Sequence, residues 1–242
     1  MTEPRPTEFD AILFDAGGVL LLPSPEMTGP LVAPFGGSSD PDVLMRAHFA
    51  GAHAMDHARA DGDESDWQAY SRAFARAAEV PEDQQEKATA AVHAGWDPDW
   101  WRQPVPTAAE TLRRLEERGV PIGIVSNAGG QVEGDLAALG ICGVDTPGAA
   151  RVACVVDSHV VGVSKPDPAI FRHALDALGL PASPRIAYVG DTVFYDVRAS
   201  IAAGLTPLLH DPYGFHQADP HPSGPHRVLS RLGDLLELVQ GR

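Results

Sequence analysis

The chain has 242 residues, 44% hydrophobic and 21% charged, a balance that supports a packed core and excludes a fibrous or wholly disordered chain. Its apolar runs stop at five or six residues, far short of the ~18 that a membrane-spanning helix needs. A formal charge of −15 opposes broad attraction to nucleic-acid phosphates or anionic lipid, so neither nucleic acid nor membrane is an expected partner.

Residues 1–10 lack a basic region followed by an apolar stretch, so no secretory signal is read there and a cytoplasmic location is expected. The first apolar run, Ala11 to Phe14, ends in Asp15. Others follow at Ile122 to Val125, Val152 to Val156, Ile186 to Val189 and Leu205 to Leu209. Unalternated runs of this length suit strands buried on both faces of a parallel sheet. Helical patterns lie at Thr107 to Arg118, Pro168 to Leu178, Phe194 to Ala203 and Leu229 to Val239, with Gly119, Gly179 and Gly204 placed as helix ends. The alternation predicts an α/β fold, a doubly wound Rossmann-like parallel sheet.

The gap between the first two runs is too long for an ordinary crossover. Prolines and glycines at 23–30 and prolines at 98–106 bracket it, so residues 23–103 read as an inserted α-helical cap domain in a core of residues 1–22 and 104–242. Asp40-Pro41, Ser65 or Asp66 before Trp67, and Pro81-Glu82 are expected helix starts within it. His53 and His57 stand four apart in this segment, a spacing that can bind zinc, but the glutamate of a zincin motif is absent and a solvated or cap-facing helix is expected. His48, His53 or His57 remains a candidate for substrate contact. Trp96, Trp100 and Trp101 are read as packing anchors. Cys142 and Cys154, the two cysteines, are read as buried small hydrophobes.

Four polar clusters end apolar runs or precede helices. Asp15 is followed by Gly17 and Gly18 at the edge where open α/β sheets bind ligands. Ser126 and Asn127 offer a hydroxyl and an amide to phosphoryl oxygens. Lys165 sits in the proline-stiffened loop Ser164-Lys165-Pro166-Asp167-Pro168. Asp191, with Asp196 five residues on, groups carboxylates of the kind that suit Mg²⁺.

In this order the clusters resemble the four motifs of the haloacid dehalogenase-like superfamily, with an insertion just after the first, where that family carries its helical cap. The resemblance implies a magnesium-dependent hydrolase, a phosphatase of a small phosphorylated metabolite such as a sugar phosphate. Asp15 would be the nucleophile and form an aspartyl-phosphate. Ser126 would bond the transferring group, with Asn127 beside it, and Lys165 would neutralise charge between nucleophile and phosphoryl oxygens. Asp191 would share Mg²⁺ with the Asp15 carboxylate and the Gly17 carbonyl, and Asp196 would support the metal or its water. The cap would close over the site and supply most of the specificity.

Family phosphatases usually carry a second aspartate, the general acid, where this chain has Gly17. A good leaving group, a cap residue or a water would have to compensate. A phosphomutase is disfavoured by the same gap. A 2-haloacid dehalogenase, which needs no general acid, is the second enzymatic reading. A non-catalytic phospholigand-binding or regulatory protein is the third. The tract from His210 to His226 is expected to be a long surface loop, and Asp211 is left outside the site. Substrate identity and oligomeric state are not legible in the residues.

Overall fold

The structure, a computed structural model, describes residues 8–61, 66–218 and 226–239. The chain divides into two compact units. One comprises Met1–Leu20, Pro104–Pro212 and Pro225–Arg242, the other Leu21–Gln103 and Tyr213–Gly224.

The first unit is built on a parallel six-stranded sheet: β1 (Ala11–Phe14), β2 (Ile122–Ser126), β3 (Val155–Asp157), β4 (Ile186–Gly190), β5 (Thr206–His210) and β6 (Arg227–Leu229). In space the order is β6-β5-β4-β1-β2-β3, the arrangement of a doubly wound sheet. β1 lies between β4, with Phe14 beside Val189, and β2, with Phe14 beside Ile124. Every residue of β1, β2 and β4 is buried, which is why these strands carry unbroken apolar runs. The helix Ala108–Glu117 buries Ala108, Thr111, Leu112 and Leu115, one face at helical spacing. Phe171–Leu178 does the same with Phe171, Ala174 and Leu175, which join Leu13, Val125, Val156 and Tyr188 in the core on one side of the sheet.

The structure revises several local expectations. β3 begins at Val155 rather than Val152. The helix expected over Phe194 to Ala203 is a wide turn, Val193–Val197, followed by a short helix, Arg198–Ala202. The helix expected from Leu229 starts at Leu235, because the segment before it supplies β6, a three-residue edge strand too short to show a period. Cys142 is fully buried and its thiol is pushed up to about 12 by burial, whereas Cys154 is half-buried; both are unbridged thiols.

The second unit is helical: α1 (Pro25–Val32), α2 (Pro41–Asp61), α3 (Asp66–Ala77) and α4 (Gln85–Ala94). Asp40 caps α2, its carboxylate accepting from the backbone N–H groups of Asp42 and Val43. Ser65 lies outside the described residues. The core gathers Val32, Leu44, Ala47, Phe74, Val92, Trp100 and Tyr70, with Trp67 stacked on Tyr70 at 4.5 Å. Of the expected tryptophan anchors, Trp100 is buried, Trp101 half-buried and Trp96 about half exposed.

The histidine expectations change most. His48 is buried, its Nδ1 3.0 Å from the Tyr70 hydroxyl. His53 and His57 are half-buried with Nε2 atoms 3.2 Å apart, so this face of α2 is only partly open to solvent. The short helix Phe215–Ala218, in the tract expected to be a surface loop, belongs to this unit. There His216 is buried, with Nε2 3.7 Å from the buried Asp56 carboxylate, and its ring meets His53 edge-on at 4.7 Å. At the other end of the tract His210 is also buried, Nδ1 bonding the carbonyl of Gly18 at 2.9 Å. His221 lies outside the described residues. Among the described residues no helix is long and apolar enough to cross a membrane.

Candidate active site

Strand order reverses direction of growth at β1 and β4, and doubly wound sheets open a crevice at such a point, beyond the carboxyl ends of the strands. Asp15 follows β1 and Asp191 follows β4 there. The Asp15 N–H bonds the Val189 carbonyl at 2.8 Å, so strand pairing itself fixes the first carboxylate next to the second. Asp196 joins them from the wide turn after β4. One oxygen of each of Asp15, Asp191 and Asp196 falls within 4.8 Å of the others, and all three residues are buried.

Two glycines make this proximity possible. Gly18 has φ +67°, and a Cβ there would lie 2.0 Å from the Asp191 carboxylate oxygen; at Gly190 it would lie 2.2 Å from the Asp196 Cβ. Gly18→Ala is therefore expected to displace Asp191 and weaken divalent-cation binding, read by calorimetry, by about 10- to 100-fold.

Lys165 is the cation of the cluster. Its Nζ bonds Asp15 Oδ2 at 2.8 Å and Asp196 Oδ1 at 2.7 Å, and its side chain is 1% exposed. The other Asp15 oxygen accepts the Ala16 N–H at 2.7 Å. Asp196 Oδ2 accepts from the backbone N–H and the hydroxyl of Thr192. Asn127 holds the lysine loop in place: its Nδ2 donates to the Lys165 carbonyl at 2.9 Å and its Oδ1 accepts the Lys165 N–H at 2.8 Å. Asn127, read from sequence as a phosphate donor, commits its amide oxygen and one of its two amide hydrogens to the Lys165 backbone. Ser126 ends β2, buried, beside Asp157 of β3. Gly17 is half-buried in the loop that follows Asp15.

Three carboxylates and one ammonium sum to −2 when all are ionised. Burial raises the pKa of Asp15, Lys165 lowers it again, and Asp196 and Asp191 add to the rise, so the carboxyl is pushed up to about 7 from 3.8. Burial by itself would lower Lys165, but Asp15 and Asp196 outweigh it and hold the ammonium above its usual range. Both members of the pair are raised because Lys165 is shared: two carboxylates hold its charge, while burial and the neighbouring acids outweigh its pull on Asp15. An added charge of +2 would balance the cluster, and hard oxygen donors are the ligands that Mg²⁺-like cations take. The acidic trio can therefore hold a divalent metal.

Sequence reasoning missed Tyr188, Thr192 and His210. A tyrosine inside an apolar run reads as core, and its hydroxyl meets Lys165 and Asp196 only once the strands are aligned.

A family model described as haloacid dehalogenase-like hydrolase matches residues 9–204. The chain belongs to the haloacid dehalogenase-like hydrolases. A hydrolase of this family from Danio rerio, haloacid dehalogenase-like hydrolase domain-containing protein 3, is 37% identical over 133 residues, covering 54% of this chain and 50% of the relative. A phosphoserine phosphatase from Thermus thermophilus is 33% identical over 134 residues, covering 55% and 49%. The chain thus matches about half the length of these curated relatives. A solved dehalogenase with an intermediate complex superposes with a TM-score of 0.59 at 19% identity, over 97% of this chain and 99% of the other, a likeness in fold alone.

Proposed function

We propose that this haloacid dehalogenase-like hydrolase is a Mg²⁺-dependent phosphatase of a small phosphorylated metabolite, working through an aspartyl-phosphate on Asp15. The observation that carries the reading is the charge arithmetic of the site: Asp15, Asp191 and Asp196 buried around the single ammonium of Lys165. A nucleophile pushed up to about 7 is fully competent only with further positive charge nearby, and a phosphoryl group, itself anionic, demands the same. The curated phosphoserine phosphatase relative supports this chemistry.

Bound next to Asp15, the Gly17 carbonyl and Asp191, with Asp196 behind, Mg²⁺ would supply charge neutralisation for both nucleophile and phosphoryl oxygens. The protein groups do the rest. Asp15 attacks phosphorus in line, the P–O bond to the leaving group breaks, and Lys165 holds the attacking carboxylate. Ser126 bonds the transferring group. Water then attacks the aspartyl-phosphate and releases phosphate. The decisive experiment is phosphate release from a panel of phosphorylated metabolites with Mg²⁺ or EDTA, with halide release from 2-haloacids followed in parallel. Mg²⁺-dependent phosphate release supports the proposal; halide release insensitive to EDTA overturns it in favour of a dehalogenase.

Gly17 gives the leaving-group oxygen no carboxylic acid. General acid help is worth about 10²- to 10⁴-fold, so rates should climb steeply as the leaving group becomes more acidic. p-Nitrophenyl, acyl or anomeric phosphates are expected to exceed simple alkyl phosphates by about that range in kcat. Equal rates across the series would show that another group donates the proton.

A further inference from the structure

We propose that Tyr188 is a positioning residue that takes the third ammonium hydrogen of Lys165 and so fixes that ammonium on Asp15; its effect on turnover rests on the phosphatase reading above. An alkylammonium has three N–H donors and accepts nothing. Three acceptors surround Lys165 Nζ: Asp15 Oδ2 at 2.8 Å, Asp196 Oδ1 at 2.7 Å and the Tyr188 hydroxyl at 2.7 Å. Each donor is thereby assigned. In this arrangement Lys165 acts on an incoming phosphoryl group through its charge and its grip on Asp15, rather than through a donor of its own.

The tyrosine is well placed to impose that geometry. It lies on β4 beside Leu13 of β1, yet its hydroxyl reaches beyond β1 to the Val125 carbonyl of β2 at 2.9 Å. The same hydroxyl is 3.1 Å from Asp196 Oδ1. Having a single hydrogen, it donates to Val125 or Asp196 and accepts from Lys165. One oxygen therefore ties the carbonyl before Ser126, the lysine loop and Asp196 together. The ring is 1% exposed and sits edge-on to Phe171 at 4.7 Å, so its position is set by the core on which the sheet packs. Phenylalanine would keep that packing and lose only the acceptor, leaving an ammonium hydrogen unanswered in a dry site.

The test uses the full chain and Tyr188→Phe. Lys87 and Lys165 are the only lysines, and Lys87 is exposed, so ¹⁵N-lysine NMR resolves the Lys165 ammonium without assignment ambiguity. A slowly exchanging Nζ signal is expected in the native protein and its loss in Tyr188→Phe. With a phosphate ester that the native chain hydrolyses, kcat should fall about 10- to 100-fold, while KM and the inhibition constant of inorganic phosphate stay within about twofold because Tyr188 touches no substrate. An Nζ signal that survives the substitution, or a raised KM at unchanged kcat, overturns the proposal. If the native chain hydrolyses no phosphate ester, the phosphatase reading falls, and the NMR arm still decides whether Tyr188 holds Lys165.

Discussion

On the proposed phosphatase reading, Asp15→Asn is expected to remove Mg²⁺-dependent phosphate release and, in the metal-free protein at pH 8, to raise the unfolding midpoint by several degrees. The first half follows from the loss of the carboxylate proposed to attack phosphorus. The second follows from linkage. The Asp15 carboxyl stands at about 7 in the folded chain against 3.8 in an ordinary one, chiefly because burial disfavours its charge. A group whose pKa is raised on folding favours the folded state while protonated, so its contribution is complete below about pH 4 and is lost as pH rises through about 7. A difference of that size corresponds to an effect on the order of 4 kcal/mol. Asparagine cannot ionise, so it keeps the stability that aspartate gives up above neutrality. Thermal melts in EDTA below pH 4 and at pH 8 read this directly: the difference between the two proteins should be smallest below pH 4 and should widen progressively up to pH 8. Saturating Mg²⁺ should reverse the order by binding the folded native chain. Melts that stay parallel across the pH range would mean that Asp15 is already ionised without a cation.

Much of this site is visible in the residues before the fold is known, for a physical reason. β1 and β4 are covered on both faces, so each is an unbroken apolar run, and the first polar residue beyond it, Asp15 or Asp191, marks the strand end. Pairing of β1 with β4 then brings the acids together; the β-α alternation implies the parallel sheet but not which strands lie side by side. The parts that stayed hidden depend on contacts between distant segments. Tyr188 reads as one more large apolar residue until Lys165 arrives from a loop 23 positions earlier. The hold of Asn127 on the Lys165 backbone is hidden because its two bonds span 38 positions. His216 reads as a loop residue because Asp56, its neighbour in the second unit, is far away along the chain. β6 escapes for the opposite reason: Arg227, Val228 and Leu229 are too few to carry a period.

Lys165→Met is the more damaging change to the protein itself. It is nearly isosteric along the stem, so packing is retained, but Asp15 and Asp196, both buried, then lose the ammonium bonded to them. Removing one partner of a buried ion pair typically costs about 3–5 kcal/mol because the remaining charge is left uncompensated, and here two carboxylates lose their bond at once. The cost should grow as Asp15, which loses the cation that lowers its pKa, ionises, and the variant should be closest to the native chain in stability at low pH. Asp196→Asn added to Lys165→Met should recover part of the loss, since it removes a charge while the Thr192 hydroxyl can still donate to the amide oxygen. Mg²⁺ should stabilise Lys165→Met by restoring positive charge, yet turnover should remain low, because a cation beside Asp191 does not replace the ammonium that holds Asp15 Oδ2. Urea unfolding of the native chain and the single and double variants, each at pH 5 and pH 8 with EDTA or Mg²⁺, separates these effects. A Lys165→Met chain as stable as the native one at pH 8 in EDTA would show that the three carboxylates do not need Lys165 as their counter-charge, and the charge argument for a metal-dependent nucleophile would fall with it.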